Sequence, residues 1–190
     1  FNGYDYTRSG NPTITVLEQV LADLEGGKHG FAFASGMGAI STLALTMFKP
    51  GDHILIGDDV YGGTFRFMTK VFEKYGITPE FIDRTDANNI EAHIRPETKM
   101  IYLETPTNPL LKLIDIEAAV AIAQKHNIPT CIDNTFASPY LQKPFDFGVD
   151  IIIHSTTKYI GGHSDVVGGA LILKDDTYAE PIKFHQNSIG

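Results

Sequence analysis

Short apolar runs that alternate with helical segments recur along the chain and constrain its fold more than any other feature. The runs predict strands over residues 31–34, 53–56, 80–82, 99–103, 130–132, 150–153 and 170–173. Apolar residues at helical spacing predict helices over residues 15–24, 38–48, 64–75 and 116–126. Because the strands are apolar on both faces, we expect one α/β domain with a mostly parallel sheet flanked by helices.

The composition limits the classes of molecule that such a domain is expected to bind. Of 190 residues, 43% are hydrophobic, which suffices for a substantial core. A net charge of −8 argues against a nucleic-acid surface, and no apolar run is long enough to span a membrane. The chain does not begin like a signal peptide, so we expect a cytoplasmic protein that acts on small molecules. The seven histidines form no i, i+4 pair, and we predict no metal site.

Polar and small residues follow the predicted strands, at the edge of a parallel sheet where functional groups collect. In chain order, the residues that follow five of the strands include Gly36 and Met37, Tyr61, Asn108, Asp133 and Lys158. A helix N-terminus, an aromatic ring, an acid and a lysine are therefore expected to share one rim of the domain.

A dinucleotide site is one interpretation of the first of these turns. Gly36 and Gly38 lie between a strand and a helix, and Asp58 follows twenty residues after Gly38. The position of the third glycine is occupied by Ser41, however, and this interpretation leaves Asp133 and Lys158 without a role. An NAD-type oxidoreductase is kept as a minor alternative.

Lys158 and its neighbours suggest a different cofactor. A lysine removed from water at a strand end keeps part of its amine neutral, and such an amine forms a Schiff base with an aldehyde. The hydroxyls of Ser155 and Thr157 and the amides of Gly36 and Met37 are donors suited to a phosphate ester. Pyridoxal 5′-phosphate (PLP) carries both groups. A surface lysine paired with an acid is the structural alternative.

Asp133 and Tyr61 fit the ring of the same cofactor. PLP requires a carboxylate against its pyridine nitrogen, since a protonated ring is the better acceptor of electrons released at the substrate α-carbon. Asp133 ends a strand 25 residues before Lys158, and Tyr61 is placed to stack on a ring face. Taken singly, Asp133 also fits a turn cap, and Tyr61 fits an ordinary half-buried tyrosine.

Six ordered motifs resemble the Cys/Met metabolism family of PLP-dependent enzymes. They are YDYTRSGNPT (4–13), ASGMGAI (34–40), DDVYGGT (58–64), ETPTNP (104–109), DNTFASP (133–139) and HSTTKYIGGHSD (154–165). The resemblance covers nearly the whole chain. It implies the large domain of the aspartate aminotransferase-like, type I fold.

The resemblance also implies roles for individual residues. Lys158 is expected to form the Schiff base and Asp133 to hold the pyridine nitrogen, with Thr135 beside the ring. Ser155 and Thr157 are expected to bind the phosphate together with the amides of Gly36 and Met37. Tyr61 is expected to stack on the ring and assist proton transfer, and Asn108 to lie near the phenolic oxygen.

Tyr6 and Arg8 resemble a pair that reaches from one subunit of the family to the phosphate in its neighbour. The resemblance therefore implies a homo-oligomer with shared active sites, which by analogy is a tetramer built from dimers. We expect residues 1–20 to form an N-terminal arm and the start of the first helix, and residues 21–190 the cofactor domain. The family's C-terminal substrate domain is expected to be absent from this sequence, and Arg66 resembles a substrate-side arginine.

The activity implied is PLP-dependent elimination from sulfur amino acids. Gly63 resembles the branches that cleave or form cystathionine, so cystathionine γ-lyase or β-lyase is favoured. Cystathionine γ-synthase and O-acylhomoserine sulfhydrylase are the next alternatives. An inactive cofactor-holding or interaction domain is an alternative of another class.

Overall fold

A seven-stranded sheet lies at the centre of the computed structural model, which describes residues 3–189. Its strands are β1 (His29–Phe33), β2 (His53–Gly57), β3 (Thr78–Ile82), β4 (Thr98–Glu104), β5 (Thr130–Asp133), β6 (Ile151–His154) and β7 (Gly169–Leu173). They are arranged in the order β1-β7-β6-β5-β4-β2-β3. Only the pairs formed by β7, with β1 and with β6, are antiparallel. The expectation of a mostly parallel sheet is confirmed, and β1 to β6 end at one edge.

This strand order disfavours the dinucleotide alternative. The doubly wound fold that binds dinucleotides has the strand order 3-2-1-4-5-6, with the first strand in the middle of the sheet. Here β1 is an edge strand and is paired only with β7. The turn after β1 is therefore not at the place where that fold binds its cofactor.

Seven α-helices accompany the strands within residues 3–189, and a 3-10 turn (Pro144–Phe147) precedes β6. They are α1 (Pro12–Glu25), α2 (Gly36–Met47), α3 (Gly62–Arg66), α4 (Asn88–Ala92), α5 (Ile116–Lys125), α6 (Ser138–Leu141) and α7 (Ala179–Ile189). The helix expected over residues 64–75 is instead α3 followed by a π-helical turn (Phe67–Val71) and a 3-10 turn (Phe72–Tyr75). None of these described helices is long and apolar enough to cross a membrane.

Both faces of the sheet are covered, because successive residues of each strand point to opposite sides. In β6, Ile151 and Ile153 pack into one apolar cluster with residues of α2 and α7. Ile152 packs into the other cluster with residues of α1, α4 and α5. The strands therefore alternate between two cores, which explains why they are apolar throughout.

Helix α1 begins with a side-chain N-cap, which the apolar spacing alone did not indicate. The Asn11 side chain accepts a hydrogen bond from the Ile14 amide at 2.8 Å, and Pro12 is the first helical residue. The helix ends before Gly26, whose φ of 76° is left-handed. Helix α1 therefore begins three residues before the predicted start at residue 15.

The last turn of α1 carries a buried polar contact to the sheet. Glu25 Oε1 accepts a hydrogen bond from Asn134 Nδ2 at 2.8 Å and lies 2.5 Å from His154 Nε2. All three side chains are buried. Because His154 ends β6 and Asn134 follows β5, this contact holds α1 against the strand that precedes Lys158 and the strand that ends in Asp133.

Candidate active site

A cavity of about 220 Å³ opens at the edge of the sheet where the parallel strands end. Every predicted cofactor-binding residue except Tyr6 and Arg8 lines this cavity: Gly36, Met37, Tyr61, Asn108, Asp133, Thr135, Ser155, Thr157 and Lys158. The loops after β1, β2, β4, β5 and β6 each contribute to this set. The structure therefore brings the motifs together on one side of the sheet.

The N-terminus of α2 forms one end of the cavity. Ser35 caps the helix by accepting a hydrogen bond from the Gly38 amide at 2.9 Å, and the amides of Gly36 and Met37 open the first turn. A β-carbon on Gly36 would come within 3.0 Å of the Ser155 Cβ. A larger residue at position 36 would crowd Ser155, and with glycine there the turn and Ser155 form a cluster of donors suited to an anion.

Thr157 is less available to a phosphate than its position suggests. Its hydroxyl donates to the Gly168 carbonyl at 3.1 Å and accepts from the Gly168 amide at 3.0 Å. The hydroxyl proton is thus engaged within the chain. A contact with a phosphate oxygen requires that proton to change its acceptor, so the role of Thr157 stays a prediction.

Asp133 is fixed by Thr135 on one side of its carboxyl group. The Thr135 amide and hydroxyl donate to Asp133 Oδ1 at 3.0 and 2.5 Å, and the Thr135 hydroxyl accepts from the Ser155 amide at 2.9 Å. The second oxygen, Oδ2, takes part in neither bond. A buried, oriented carboxyl group is thereby presented to the cavity.

Glu104 also lines the cavity, although the sequence analysis gave it no role. It is buried at the end of β4, and in the pairing with β5 its register partner is Asp133. Glu104 Oε2 accepts from the Tyr61 amide at 3.0 Å, and Oε1 accepts from the Asn108 amide at 2.8 Å. The available signal was that the predicted strands 99–103 and 130–132 are each followed directly by an acid.

The environment of the two acids opposes their ionisation. Burial, followed by the charge of Asp133, raises the pKa of Glu104 to about 8. Burial also raises the pKa of Asp133, against the bonds from Thr135 that favour its ionised form. Two adjacent carboxyl groups that are both removed from water disfavour a double negative charge.

Lys158 lines the cavity, but one expectation about it is wrong. Its side chain was expected to be removed from water, yet within this chain the residue is exposed. The reason is that Lys158 lies in the turn beyond β6, where its amide bonds to the Ser155 carbonyl at 3.2 Å, and not within the strand. This chain alone does not shield the amine.

Apolar and aromatic groups complete the wall. Tyr61 lies at the start of α3 and is 41% exposed. A β-carbon on Gly63 would collide with the Tyr61 ring and lie 3.0 Å from the Met37 sulfur. Further lining residues that the sequence analysis did not identify are Ser35, Ile40, Pro106, Phe136, Ile153 and Val167.

Three predicted residues lie outside the cavity. Tyr6 and Arg8 are exposed near the start of the described chain, with the Arg8 guanidinium 5.2 Å from the centre of the Tyr6 ring. Arg8 also donates to the Asn187 carbonyl. Arg66 ends α3 on the surface. The roles of these residues concern a neighbouring subunit or the substrate, and they stay predictions.

Sequence comparison identifies a family and several close relatives. The family described as "Cys/Met metabolism PLP-dependent enzyme" matches residues 1–190. "Probable cystathionine gamma-synthase" of Herpetosiphon aurantiacus is 54% identical over 99% of this chain and 59% of its own length. "Cystathionine beta-lyase" of Lactococcus lactis subsp. cremoris (strain MG1363) is 54% identical over 98% of this chain and 49% of its own length.

Comparison with solved structures gives the same result. The crystal structure of cystathionine γ-lyase from Lactobacillus plantarum complexed with L-serine is similar with a TM-score of 0.96 and 53% identity. The match covers 99% of this chain and 49% of that one. The chain thus spans about half the length of the relatives that it matches.

Proposed function

The chain belongs to the Cys/Met metabolism family of PLP-dependent enzymes, and on this premise we propose that the protein cleaves a carbon–sulfur bond of cystathionine by β- or γ-elimination. The relatives named as a β-lyase and a γ-synthase are equally identical to it, at 54%. Cystathionine γ-synthase or O-acylhomoserine sulfhydrylase activity is therefore the alternative within the same chemistry.

The observation that carries this proposal is the convergence of three groups on one cavity. Lys158, Asp133 and the first turn of α2 line it together. An amine, a buried carboxyl group and a set of amide donors match the aldehyde, ring nitrogen and phosphate of PLP. The close approach of Gly36 to Ser155 brings the amides of α2 and the Ser155 hydroxyl together, and these donors suit the phosphate.

The residues of this chain perform distinct tasks in the proposed reaction. When bound, PLP supplies an aldehyde that condenses with amines and a ring that accepts the electron pair left at the substrate α-carbon. The Lys158 Nζ would hold the aldehyde and, once displaced by the substrate amine, accept the α-proton. Asp133 would stabilise positive charge on the ring nitrogen, and Thr135 keeps its carboxyl group oriented.

The remaining groups orient and confine the reactants. Tyr61 would lie against a ring face, with its hydroxyl placed to assist proton transfer during elimination of the thiol. Asn108 would contact the phenolic oxygen. Because Lys158 is exposed in this chain, we propose that other parts of the assembled enzyme exclude water from the amine.

The proposed assembly is a homo-oligomer with shared active sites, a tetramer built from dimers. Tyr6 and Arg8 would complete the phosphate site of a neighbouring subunit, and their exposure in this chain is consistent with that role. We further propose that the enzyme works in the cytoplasm. The substrate carboxylate would be bound by a C-terminal domain, and Arg66 would lie on the substrate side.

Replacement of Lys158 tests the mechanism. Lys158→Ala removes the amine that holds the aldehyde, so the visible absorbance of the bound cofactor and the turnover of cystathionine should both be lost. Lys174→Ala is the matched control, since Lys174 follows β7, which runs in the reverse direction and ends at the other edge of the sheet. Retention of both signals in Lys158→Ala would contradict the proposal.

A direct assay separates the candidate substrates. The full protein is supplied with cystathionine alone, and with an acylated homoserine together with cysteine or sulfide. Release of homocysteine indicates β-elimination, and release of cysteine indicates γ-elimination. Product formed only from acylated homoserine would favour the synthase or sulfhydrylase alternative. Cofactor absorbance without any turnover would favour the inactive cofactor-holding domain.

A further inference from the structure

Glu104 stands in the cavity wall next to a second buried acid. It is the register partner of Asp133 in the parallel pair β4 and β5, and the two residues are 5% and 8% exposed. Two positions earlier, Tyr102 and Cys131 both belong to the core on the α2 side of the sheet. Since side chains alternate with a period of two, the carboxyl groups of Glu104 and Asp133 lie on that same side.

The Glu104 carboxyl group also joins two loops. Its two oxygens accept hydrogen bonds from the amides of Tyr61 and Asn108, at 3.0 and 2.8 Å respectively. Tyr61 follows β2 and Asn108 follows β4, so one side chain fixes the backbone at both. These are the residues proposed to contact the ring face and the phenolic oxygen of the cofactor.

We infer that Glu104 is a positioning residue for the cofactor, which holds Tyr61 and Asn108 in place and, paired with Asp133, gives up a proton when a cationic ring binds. This inference rests on the proposed placement of PLP in the cavity. It adds a residue whose influence is exerted through Tyr61, Asn108 and Asp133 and not by contact with the reacting atoms.

The charges around the pair are few and mostly buried. Arg84, 3% exposed, donates to the Tyr102 carbonyl and is the cation that favours ionisation of Glu104. Burial lowers the pKa of Arg84 to about 10, which leaves it charged at neutral pH. The titratable groups that face the pair or line its cavity are Tyr61, Arg84, Tyr102, Cys131, His154 and Lys158.

Proton release follows from this arrangement. In the absence of a ligand, a Glu104 with a pKa of about 8 keeps its proton at neutral pH. A positive ring nitrogen at Asp133 stabilises negative charge nearby and lowers the pKa of Glu104, so the proton leaves as the ring binds. By linkage, affinity for a cationic ring rises as the pH approaches 8 and levels off above that value.

The test uses a PLP analogue with a methyl group in place of the aldehyde, 4′-deoxypyridoxine 5′-phosphate, which forms no bond with Lys158. Its affinity for the cofactor-free protein is measured at pH 6, 7, 8 and 9 in the wild type and in Glu104→Gln. Titration of the analogue itself cancels in the ratio of the two affinities. As the pH increases toward 8, the ratio of the wild-type affinity to the Glu104→Gln affinity should grow by up to about tenfold per pH unit, as expected for one linked proton. A ratio independent of pH would overturn the inference.

A control variant shows whether the pH dependence of binding is specific to Glu104. Asp52→Asn removes another buried carboxyl group that accepts an amide hydrogen bond, from Lys49 at 2.8 Å, and it lies outside the cavity. It should keep the wild-type pH dependence. If the wild type binds the analogue at no pH, the proposed cofactor site itself is wrong, whereas a constant ratio contradicts only the role of Glu104.

Glu104→Asp keeps the test decisive if Glu104→Gln does not fold. The shorter side chain retains an acid beside Asp133 but does not reach both amides. Its pH dependence should persist, while the affinity and the circular dichroism of the bound ring should fall at every pH. Wild-type affinity and dichroism in Glu104→Asp would overturn the positioning role.

Discussion

The two glycines at the start of α3 have very different surroundings. A β-carbon on Gly63 would collide with the Tyr61 ring, whereas a β-carbon on Gly62 would meet only Arg66 Nη1, at 3.5 Å. The Tyr61 ring therefore packs directly on the Gly63 backbone. The absence of a side chain at residue 63 sets where the ring can lie beside the cavity.

Replacement of these glycines gives a matched pair of variants. Gly63→Ala should displace Tyr61 and weaken its stacking on the cofactor, which is worth about 0.5–1.5 kcal/mol, so PLP affinity should fall roughly 2- to 12-fold. Gly62→Ala changes the same helical turn without touching the ring and should bind PLP normally. Affinity is measured by titration of the cofactor-free protein. Equal affinities of the two variants would contradict the stacking role.

The residue types at the strand ends indicated which side chains line the cavity. The environment of each side chain could not be predicted from the sequence. Asp133 and Lys158 were predicted to share one rim because each was expected to follow a buried strand, and both line the cavity. The engagement of Thr157 with Gly168 and the exposure of Lys158 depend on where the loop after β6 turns. Glu104 was missed since its two partners, the Tyr61 and Asn108 amides, become neighbours only in the folded sheet.

At the scale of elements, the N-terminus of α2 is the part most directly tied to the proposed cofactor site. Ser35 caps α2 through the Gly38 amide at 2.9 Å, and Asp115 caps α5 through the Ala118 amide at 2.9 Å. In both caps the side-chain oxygen accepts from the amide three residues further along the chain. Only the α2 cap lies at the cavity.

These caps allow helix stability to be separated from phosphate binding. Ser35→Ala and Asp115→Ala should each lower the free energy of unfolding by about 1 kcal/mol. Only Ser35→Ala should also weaken PLP binding, because it frees the turn whose Gly36 and Met37 amides are proposed to face the phosphate. Denaturant unfolding and cofactor titration measure the two effects. A parallel loss of PLP affinity in Asp115→Ala would show that the effect is not specific to α2.

Helices rich in apolar residues were predictable, and one with few apolar residues was not. In α7 only Ile182 and Gln186 are buried. Gln186 Nε2 donates to Glu18 Oε1 at 2.7 Å and to the Ala32 carbonyl at 2.9 Å. Residues 179–189 contain few apolar side chains, so they showed no apolar run and were not predicted to be helical.

For the whole molecule, alternation of strands and helices indicated the class of fold but not the order of the strands. Strands β6 and β7 are antiparallel neighbours, and the loop that joins them contains no described helix. Parallel neighbours are usually joined through a helix. The glycines at 161, 162 and 168 were a usable sign that β7 turns back. The placement of β1 beside β7 follows only from packing.

The surface of α1 bears on the proposed assembly. Four of the five apolar residues that predicted this helix are 43–63% exposed in the chain, namely Val16, Leu17, Val20 and Leu24. The core side of α1 is formed by Leu21, Ala22 and Glu25. Clustered exposed apolar residues are typical of surfaces that contact another protein, and this one lies next to Tyr6 and Arg8 in the sequence.

Shared active sites predict complementation between inactive variants. In a mixed dimer of Lys158→Ala and Arg8→Ala, one site combines an intact Lys158 with an Arg8 supplied by the other subunit. Random pairing makes half of the dimers mixed, so co-expression should restore about one quarter of the wild-type activity. Lys158→Ala with Asp133→Asn is the control, because both residues line the cavity of the same chain and no mixed dimer has an intact site. No recovery in the mixture of Lys158→Ala and Arg8→Ala would show that Arg8 serves its own chain, and full activity of Arg8→Ala by itself would show that Arg8 serves no site.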